Sequence, residues 1–337
     1  MNFGKIDHFL LFGGGKLFAD MALRLKRSGR SIHAVTSQRH LHEGLIDPPI
    51  PLGNFLEDNE IDFLVSSDVN NDRSVSEMIT PQTLGVSIGA AWIFRAEFIE
   101  RFTGRLVNSH GARLPQDRGG GGFSWRILRG DHMGFSLIHQ VEPGIDTGAI
   151  IAYQEYHFPY SCRVPIDYQK YSLEKNLELF DLFLSNVEAK IEFPALGQPE
   201  YLSTYWPRLS TDLHGYIDWS WELGDIERFI CAFDEPYAGA MTFVNDTKVR
   251  LKNCLSTTSD GRFHPFQQGI IYRITDGAFF VAVTGGSLIV NSVTDESGSD
   301  MTGHLCTGDR FYTEARLLDE ARRSRVIYTP KGLKEQA

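Results

Sequence analysis

Asn108, His110 and Asp146 are the residues of this sequence whose types suit acyl transfer to an amine. Attack of an amine on a carbonyl carbon passes through a tetrahedral intermediate carrying an oxyanion. A neutral amide donor such as Asn108 can hydrogen-bond that oxyanion, an effect of about 2.7–4 kcal/mol. The amine must also shed a proton, and an imidazole such as His110 ordinarily exchanges one near neutral pH. Asp146 could orient and stabilise the imidazolium, or relay protons through water. Each residue alone has a plainer reading. Asn108 and Ser109 could cap a turn, a single histidine is more often a hydrogen-bonded structural group, and Asp146 suits any turn before Gly148. His139 could reach the same place but reads as structural, and Asp131 and His132 read as a solvated turn.

The elements around these residues give the trio its meaning. Leu106–Ser109 is a strand ending in Asn108-Ser109-His110-Gly111, and alternation along a strand puts Asn108 and His110 on one side. A Pro- and Gly-rich loop follows, then a helix over 122–129, a strand over 135–141 and the turn Pro143-Gly144-Ile145-Asp146-Thr147-Gly148. Upstream, 8–12 reads as a strand, with Leu17, Phe18, Met21 and Leu25 as a helical stripe and 31–36 as a second strand. Further strands are expected at 61–65, 84–88 and 150–156, and helices at 92–102 and 172–192. Strands alternating with helices predict an α/β fold with an open, mainly parallel, Rossmann-like sheet. Its carboxyl edge is where ligands bind.

A polar segment over 202–212 reads as a linker. Beyond it a helix over 222–233 precedes short strands at 240–244, 248–251, 269–274, 278–283 and 287–290, which fit a small barrel. Asn245-Asp246, Asp276-Gly277 and Gly285-Gly286 supply the turns. A charged helix is expected over 310–325. The predicted division is a catalytic domain at 1–205, a β-domain at 213–300 and a tail at 301–337.

Gly13-Gly14-Gly15 follows a strand and opens a helix, where a phosphate loop could sit. It is neither G-x-G-x-x-G, since Phe18 takes the third glycine position, nor a Walker motif, since Leu17 follows Lys16. The second strand also lacks a terminal acidic residue, which disfavours a nucleotide-dependent oxidoreductase. The loop reads as a tight turn that could also line a substrate site. The net charge of −10 argues against nucleic-acid binding. Four scattered cysteines support neither structural zinc nor a disulfide framework. No run is long enough to span a membrane and the first residues do not form a signal peptide, so a cytoplasmic location is expected.

From Leu106 to Ile151 the sequence resembles the folate-dependent N-formyltransferases, which include methionyl-tRNA, glycinamide ribonucleotide and sugar N-formyltransferases. The match is carried by Asn108-Ser109-His110, Leu114-Pro115, Arg118-Gly119 and Asp146-Thr147-Gly148, in the family's order. Gly119 to Gly122 departs from the Ala and Pro of tRNA-type members. Residues 215–219, 226–232, 236–240 and 268–290 resemble the OB-like C-terminal domain of some members, so the resemblance covers most of 80–290.

The resemblance implies Asn108, His110 and Asp146 as the catalytic set and N10-formyltetrahydrofolate as formyl donor, without a metal. Gly89, Ala90, Ala91, Trp92, Ile93 and Phe94, with Val141, Gly144 and Ile145, are the implied folate-binding positions. Gly14, Lys16, Arg113, Arg118 and Gly119 are candidates for the acceptor side. The stretch 37–51 has a single arginine where tRNA-type members carry a basic insertion. The expected acceptor is therefore a small amine, an amino sugar on a nucleotide. Methionyl-tRNA formylation, hydrolysis of formyl-tetrahydrofolate, and a non-catalytic binding role on the same fold are the alternatives.

Overall fold

The apolar run His8–Gly13 forms β1, and the computed structural model carries the chain on through a β-α-β opening. It describes residues 1–46, 49–120, 122–329 and 332–333; Asp47 and Pro48 of the 37–51 stretch, Gly121 of the glycine run and most of the last residues lie outside these. After β1 come α1 (Gly15–Arg27), β2 (Ser31–Thr36), the short α2 (Gln38–His42) and α3 (Leu52–Asp58), then β3 (Phe63–Val65). Next are α4 (Arg73–Glu77), β4 (Thr83–Ile88), α5 (Ala96–Glu100) and β5 (Leu106–His110). The two-residue β6 (Arg118–Gly119), α6 (Phe123–Arg129), β7 (Met133–Gln140), β8 (Ile150–His157) and the long α7 (Pro165–Glu188) complete this part.

The seven long strands form one sheet in the order β3-β2-β1-β4-β5-β7-β8. The first five are parallel; β7 runs antiparallel to β5 and β8 antiparallel to β7. The mainly parallel expectation therefore holds. The central strand β4 is buried throughout, which is why its run TLGVSI is nearly continuous in small and apolar residues. One core lies under α1 and α7, whose Phe18, Met21, Leu25, Phe180, Phe183 and Leu184 are buried together with Leu11 and Val86. The opposite face packs Phe12, Phe94, Phe98 and Phe102 edge to face or stacked, with ring centroids 5.6–6.0 Å apart.

Two helices of this part differ from expectation. The helix expected from 172 begins at Pro165, where a proline suits the first turn and the Asp167 carboxylate accepts from the Val164 amide at 3.1 Å. The helix expected over 92–102 shrinks to Ala96–Glu100 because the Asn70 side chain fixes the preceding loop. Its Nδ2 donates to the Ile93 carbonyl and its Oδ1 accepts from the Arg95 amide.

The segment expected as a linker is tied down. Tyr205–Trp206 forms β9, which pairs in parallel with β6. After α8 (Thr211–His214) and α9 (Leu223–Ala232), strands β10 (Ala240–Val244), β11 (Thr247–Thr257), β12 (Ile271–Thr275), β13 (Ala278–Val283) and β14 (Gly286–Asp295) build an antiparallel sheet. Its order is β10-β11-β14-β13-β12. Asn245-Asp246 and Asp276-Gly277 both take positive φ at both positions, the two-residue hairpin geometry their types predict.

The C-terminal helix, α10 (Ala315–Arg323), starts later than expected because Arg310–Tyr312 is extended. Arg310 bridges Ile270 and Tyr312 bridges Phe243, so this segment links the two edges of the sheet. Phe311 between them is buried and stacks on Trp219. The β-sheet core is continuous with Ile127, Tyr156, Phe158 and Tyr168 of the preceding part, so apolar packing crosses the seam.

Candidate active site

Asn108 and His110 lie at the carboxyl end of β5, both half-buried, while Ser109 between them points into the core. Their neighbour is set by strand register: β7 runs antiparallel to β5 and places His139 opposite Asn108. The Asn108 Nδ2 lies 3.0 Å from His139 Nε2. On its other side the His139 ring meets the Gln140 carbonyl, Nδ1 to oxygen, at 2.7 Å. A carbonyl only accepts, so Nδ1 carries the proton and Nε2 presents a lone pair to the Asn108 amide. That contact fixes the Asn108 amide with its NH2 on His139, and leaves one N–H able to donate elsewhere.

Asp146 completes the group from the turn between β7 and β8. Its Oδ1 is 3.9 Å from His110 Nδ1 and 3.7 Å from His139 Nε2. These separations exceed a hydrogen bond, as catalytic contacts often do before substrate closes them. Burial, with the facing His110 ring adding to it, lowers the His139 pKa to about 4. His139 is therefore neutral at physiological pH and serves as an acceptor. The His110 Nε2 atom is buried and has no hydrogen-bond partner among the described residues. An imidazole with one face toward a carboxylate and an unused nitrogen can take a proton from an incoming amine. The donor atoms of His110, His139 and Asp146 all lie within 4.8 Å of one another, so a cation could also be held there.

Asp146 adopts a left-handed backbone, φ +54°, which is uncommon for a non-glycine residue. The turn is held from outside: the Gln198 Nε2 donates to the carbonyls of Asp146 and Gly148 at 2.9 and 2.7 Å. Gln198 in turn accepts from Arg118 Nη2 at 3.1 Å.

The other expected positions divide. Trp92 and Phe94 are buried in the aromatic core, so only their backbone is available to a ligand, whereas Ile93 and Ile145 are 71% and 53% exposed. Gly89 takes φ +60°, Ala90, Ala91 and Val141 are half-buried, and Gly144 is exposed. The first two residues of the glycine loop pack against protein, and Gly15 is open. A Cβ on Gly13 would lie 1.8 Å from the Ile88 carbonyl oxygen, and one on Gly14 would lie 2.4 Å from the His40 ring. The tight-turn reading thus accounts for both glycines.

Arg118 is buried and pairs with Glu200 at 2.8 Å, and Gly119 packs against the Tyr205 ring. Both belong to the wall behind the Asp146 turn. Lys16 pairs with Asp20 at 2.6 Å, and Arg113 is exposed, with its guanidinium beside the Phe135 ring.

A cavity of about 540 Å³ reaches Gly111, the residue after His110, and is lined also by Lys16, Asp20, Phe123, Lys170 and Asn176. A second, of about 510 Å³, opens at the seam among Trp125, Tyr216, Trp221, Phe229 and Leu318, and shares no lining residue with the first. Sequence reasoning passed over Lys170 and Gln198 and read His139 as structural. Strand register and loop return bring His139 and Gln198 to the site, and neither leaves a signal in local spacing.

Comparisons with known proteins identify the family and the fold. Residues 8–175 match the formyl transferase family model and residues 210–309 match the model of the formyl transferase C-terminal domain. The methionyl-tRNA formyltransferase of Syntrophus aciditrophicus (strain SB) is 26% identical over 310 residues, 87% of this chain and 93% of its own length. That of Dechloromonas aromatica (strain RCB) is 27% identical over 212 residues, 61% of this chain and 65% of its own length, so the chain spans just under two thirds of that relative. Among solved structures, the N-formyltransferase from Helicobacter canadensis, in complex with folinic acid and dTDP-3-aminofucose, superposes with a TM-score of 0.63 over 85% of this chain and 98% of its own. At 17% identity that likeness is one of fold. With both family models matched in order and together spanning most of the sequence, the chain belongs to the formyl transferase family.

Proposed function

We propose that this folate-dependent formyltransferase passes the formyl group of N10-formyltetrahydrofolate to the primary amine of a small acceptor, an amino sugar carried on a nucleotide. The observation that carries the transfer chemistry is the meeting of Asn108, His110 and Asp146 at one strand edge, with His139 orienting the amide. In this reading the free N–H of Asn108 donates to the oxyanion as the amine attacks the formyl carbon. His110 takes the amine proton, the Asp146 carboxylate stabilises the imidazolium, and the same proton passes to N10 as the C–N10 bond breaks, which leaves the formylated amine and neutral tetrahydrofolate. The exposed Ile93 and Ile145 suit the flanks of a flat pterin ring, with backbone groups of 89–94 and 141–145 supplying its hydrogen bonds.

The acceptor reading rests on the cavity beside Gly111. Its roughly 540 Å³ has the size of sites that enclose small organic ligands. Two cations stand on its wall, Lys170 and Lys16, the latter paired with Asp20; Glu174 lines it too, so a diphosphate would draw Lys16 away from its carboxylate partner. A tRNA would call for many phosphate contacts, and the net charge is −10. The single arginine of the 37–51 stretch, Arg39, is 3.0 Å from Glu43. The division into a catalytic domain at 1–205 and a β-domain at 213–300 belongs to this reading, with the β-domain bracing the wall that carries β6 and β9.

The methionyl-tRNA reading is favoured by a different observation, the identity of the curated relatives. One assay separates the two. The protein is incubated with formyl-tetrahydrofolate and, in parallel, nucleotide-linked amino sugars and charged initiator tRNA, and the formylated product is read by mass. Faster formylation of the tRNA than of every amino-sugar nucleotide overturns the small-acceptor reading. Tetrahydrofolate released at the same rate without any amine points to hydrolysis.

A further inference from the structure

The turn that bears Asp146 has no regular element of its own to hold it. It lies between two edge-side strands, and its catalytic residue sits in a left-handed conformation that persists only where the surroundings hold it. Side-chain hydrogen bonds to its backbone come from Gln198, far along the chain after α7. Both N–H bonds of the Gln198 amide are used, one on the Asp146 carbonyl and one on the Gly148 carbonyl, so the residue spans the turn. Its Oε1 accepts from the buried Arg118 guanidinium, which also holds Glu200 two residues further on. Arg118 and Gly119 in turn pair with Tyr205–Trp206, so the segment carrying Gln198 is fixed at both ends.

We propose that Gln198 is a positioning residue for Asp146, and that Arg118, read from the sequence as an acceptor contact, acts by orienting the Gln198 amide. The proposal rests on the reading of Asp146 as a catalytic group. Gln198 touches no reacting atom; it fixes where the carboxylate stands relative to His110 and His139. The amide is suited to this as a carboxylate is not, because it must accept from Arg118 on one atom and donate twice from the other. The substitution Gln198→Glu would keep the size and the pairing with Arg118 but turn an oxygen toward two carbonyls.

The test compares Gln198→Ala and Gln198→Glu with wild type, each also in an Asp146→Asn background. A displaced carboxylate predicts kcat lower by about 10-fold in both single variants, with KM for folate and amine within about twofold of wild type. Because the residue acts through Asp146, the same substitution in the Asp146→Asn background is expected to cost nothing further. Hydrogen exchange of the 146–149 amides in Gln198→Ala is read in parallel, and is expected to quicken while the midpoint of thermal unfolding stays close to wild type. An equal loss in both backgrounds, wild-type turnover, or unchanged exchange overturns the proposal. Absence of formyl transfer by the wild-type protein would instead count against the functional reading, and the exchange experiment would still decide the clamp.

Discussion

Two turns at the carboxyl edge of the same sheet invite a functional reading, and they are built in opposite ways. The loop after β1 holds Gly13-Gly14-Gly15; the end of β5 and the turn after β7 hold Asn108, His110 and Asp146. At Gly13 and Gly14 the space a side chain would use is taken by the protein's own Ile88 carbonyl and His40 ring, while Gly15 is open. At the trio, polar atoms face one another at 3.7–3.9 Å without closing, and one buried nitrogen of His110 has no partner among the described residues. Glycine in the first turn is a packing requirement. Polar side chains in the second are held apart at a cost in pairing, which folding alone does not explain. A motif's residue types say what a turn can do, and the occupancy of the space beside it says what it does.

The contrast breaks most directly at His110. Its replacement by alanine is expected to lower kcat by about 10²-fold or more, with folding little changed, as a general base requires. Near-normal turnover at saturating folate and amine would remove His110 from the mechanism. Gly13→Ala should do the reverse. With φ at +143° and a backbone oxygen 1.8 Å from the new Cβ, it should destabilise the fold by roughly 3 kcal/mol. The protein that remains folded should keep a near-normal kcat at low temperature, with KM for folate raised because the new Cβ also lies 3.3 Å from the Ala90 amide of the 89–94 segment. Denaturant unfolding read beside kcat checks both halves, and a stable but inactive Gly13→Ala would move the glycine loop into the active site.

A smaller effect follows from the two histidines that border these turns. His40 beside Gly14 and His139 beside Asn108 both have pKa values lowered to about 4, chiefly by burial. Unfolding frees each to bind a proton below its ordinary value of about 6.5. Stability is thus unaffected by these groups above that value and falls as pH drops from about 6.5 toward 4. The expected observation is a thermal midpoint that declines across that window, with a shallower decline in His139→Gln. An equally steep decline in that variant would deny the buried neutral state of His139. The smallest effect is expected at Arg113, which is exposed in the loop after β5. Arg113→Ala should raise KM for an anionic acceptor by about threefold, less at high salt, and leave kcat unchanged; a fall in kcat would place it closer to the reacting atoms.

What the sequence determined by itself was whatever depends on local chemistry. Alternation put Asn108 and His110 on one side of a strand, the turn residues Asn245-Asp246 and Asp276-Gly277 fixed two hairpins, and apolar stripes located α1 and α9. The residue types of the trio carried the transfer chemistry before any coordinates did. Tertiary structure decided the rest, because it depends on which distant segments meet. The antiparallel register of β7 on β5 made His139 the partner of Asn108. The return of the chain after α7 brought Gln198 onto the Asp146 turn and engaged Arg118, so a cation that looked free for substrate is a structural donor. The same return turned an expected linker into β9 and bound it to β6. Hydrogen bonds between residues 50–80 positions apart leave no periodicity to read, since each partner is locally an ordinary polar residue until the fold closes around it.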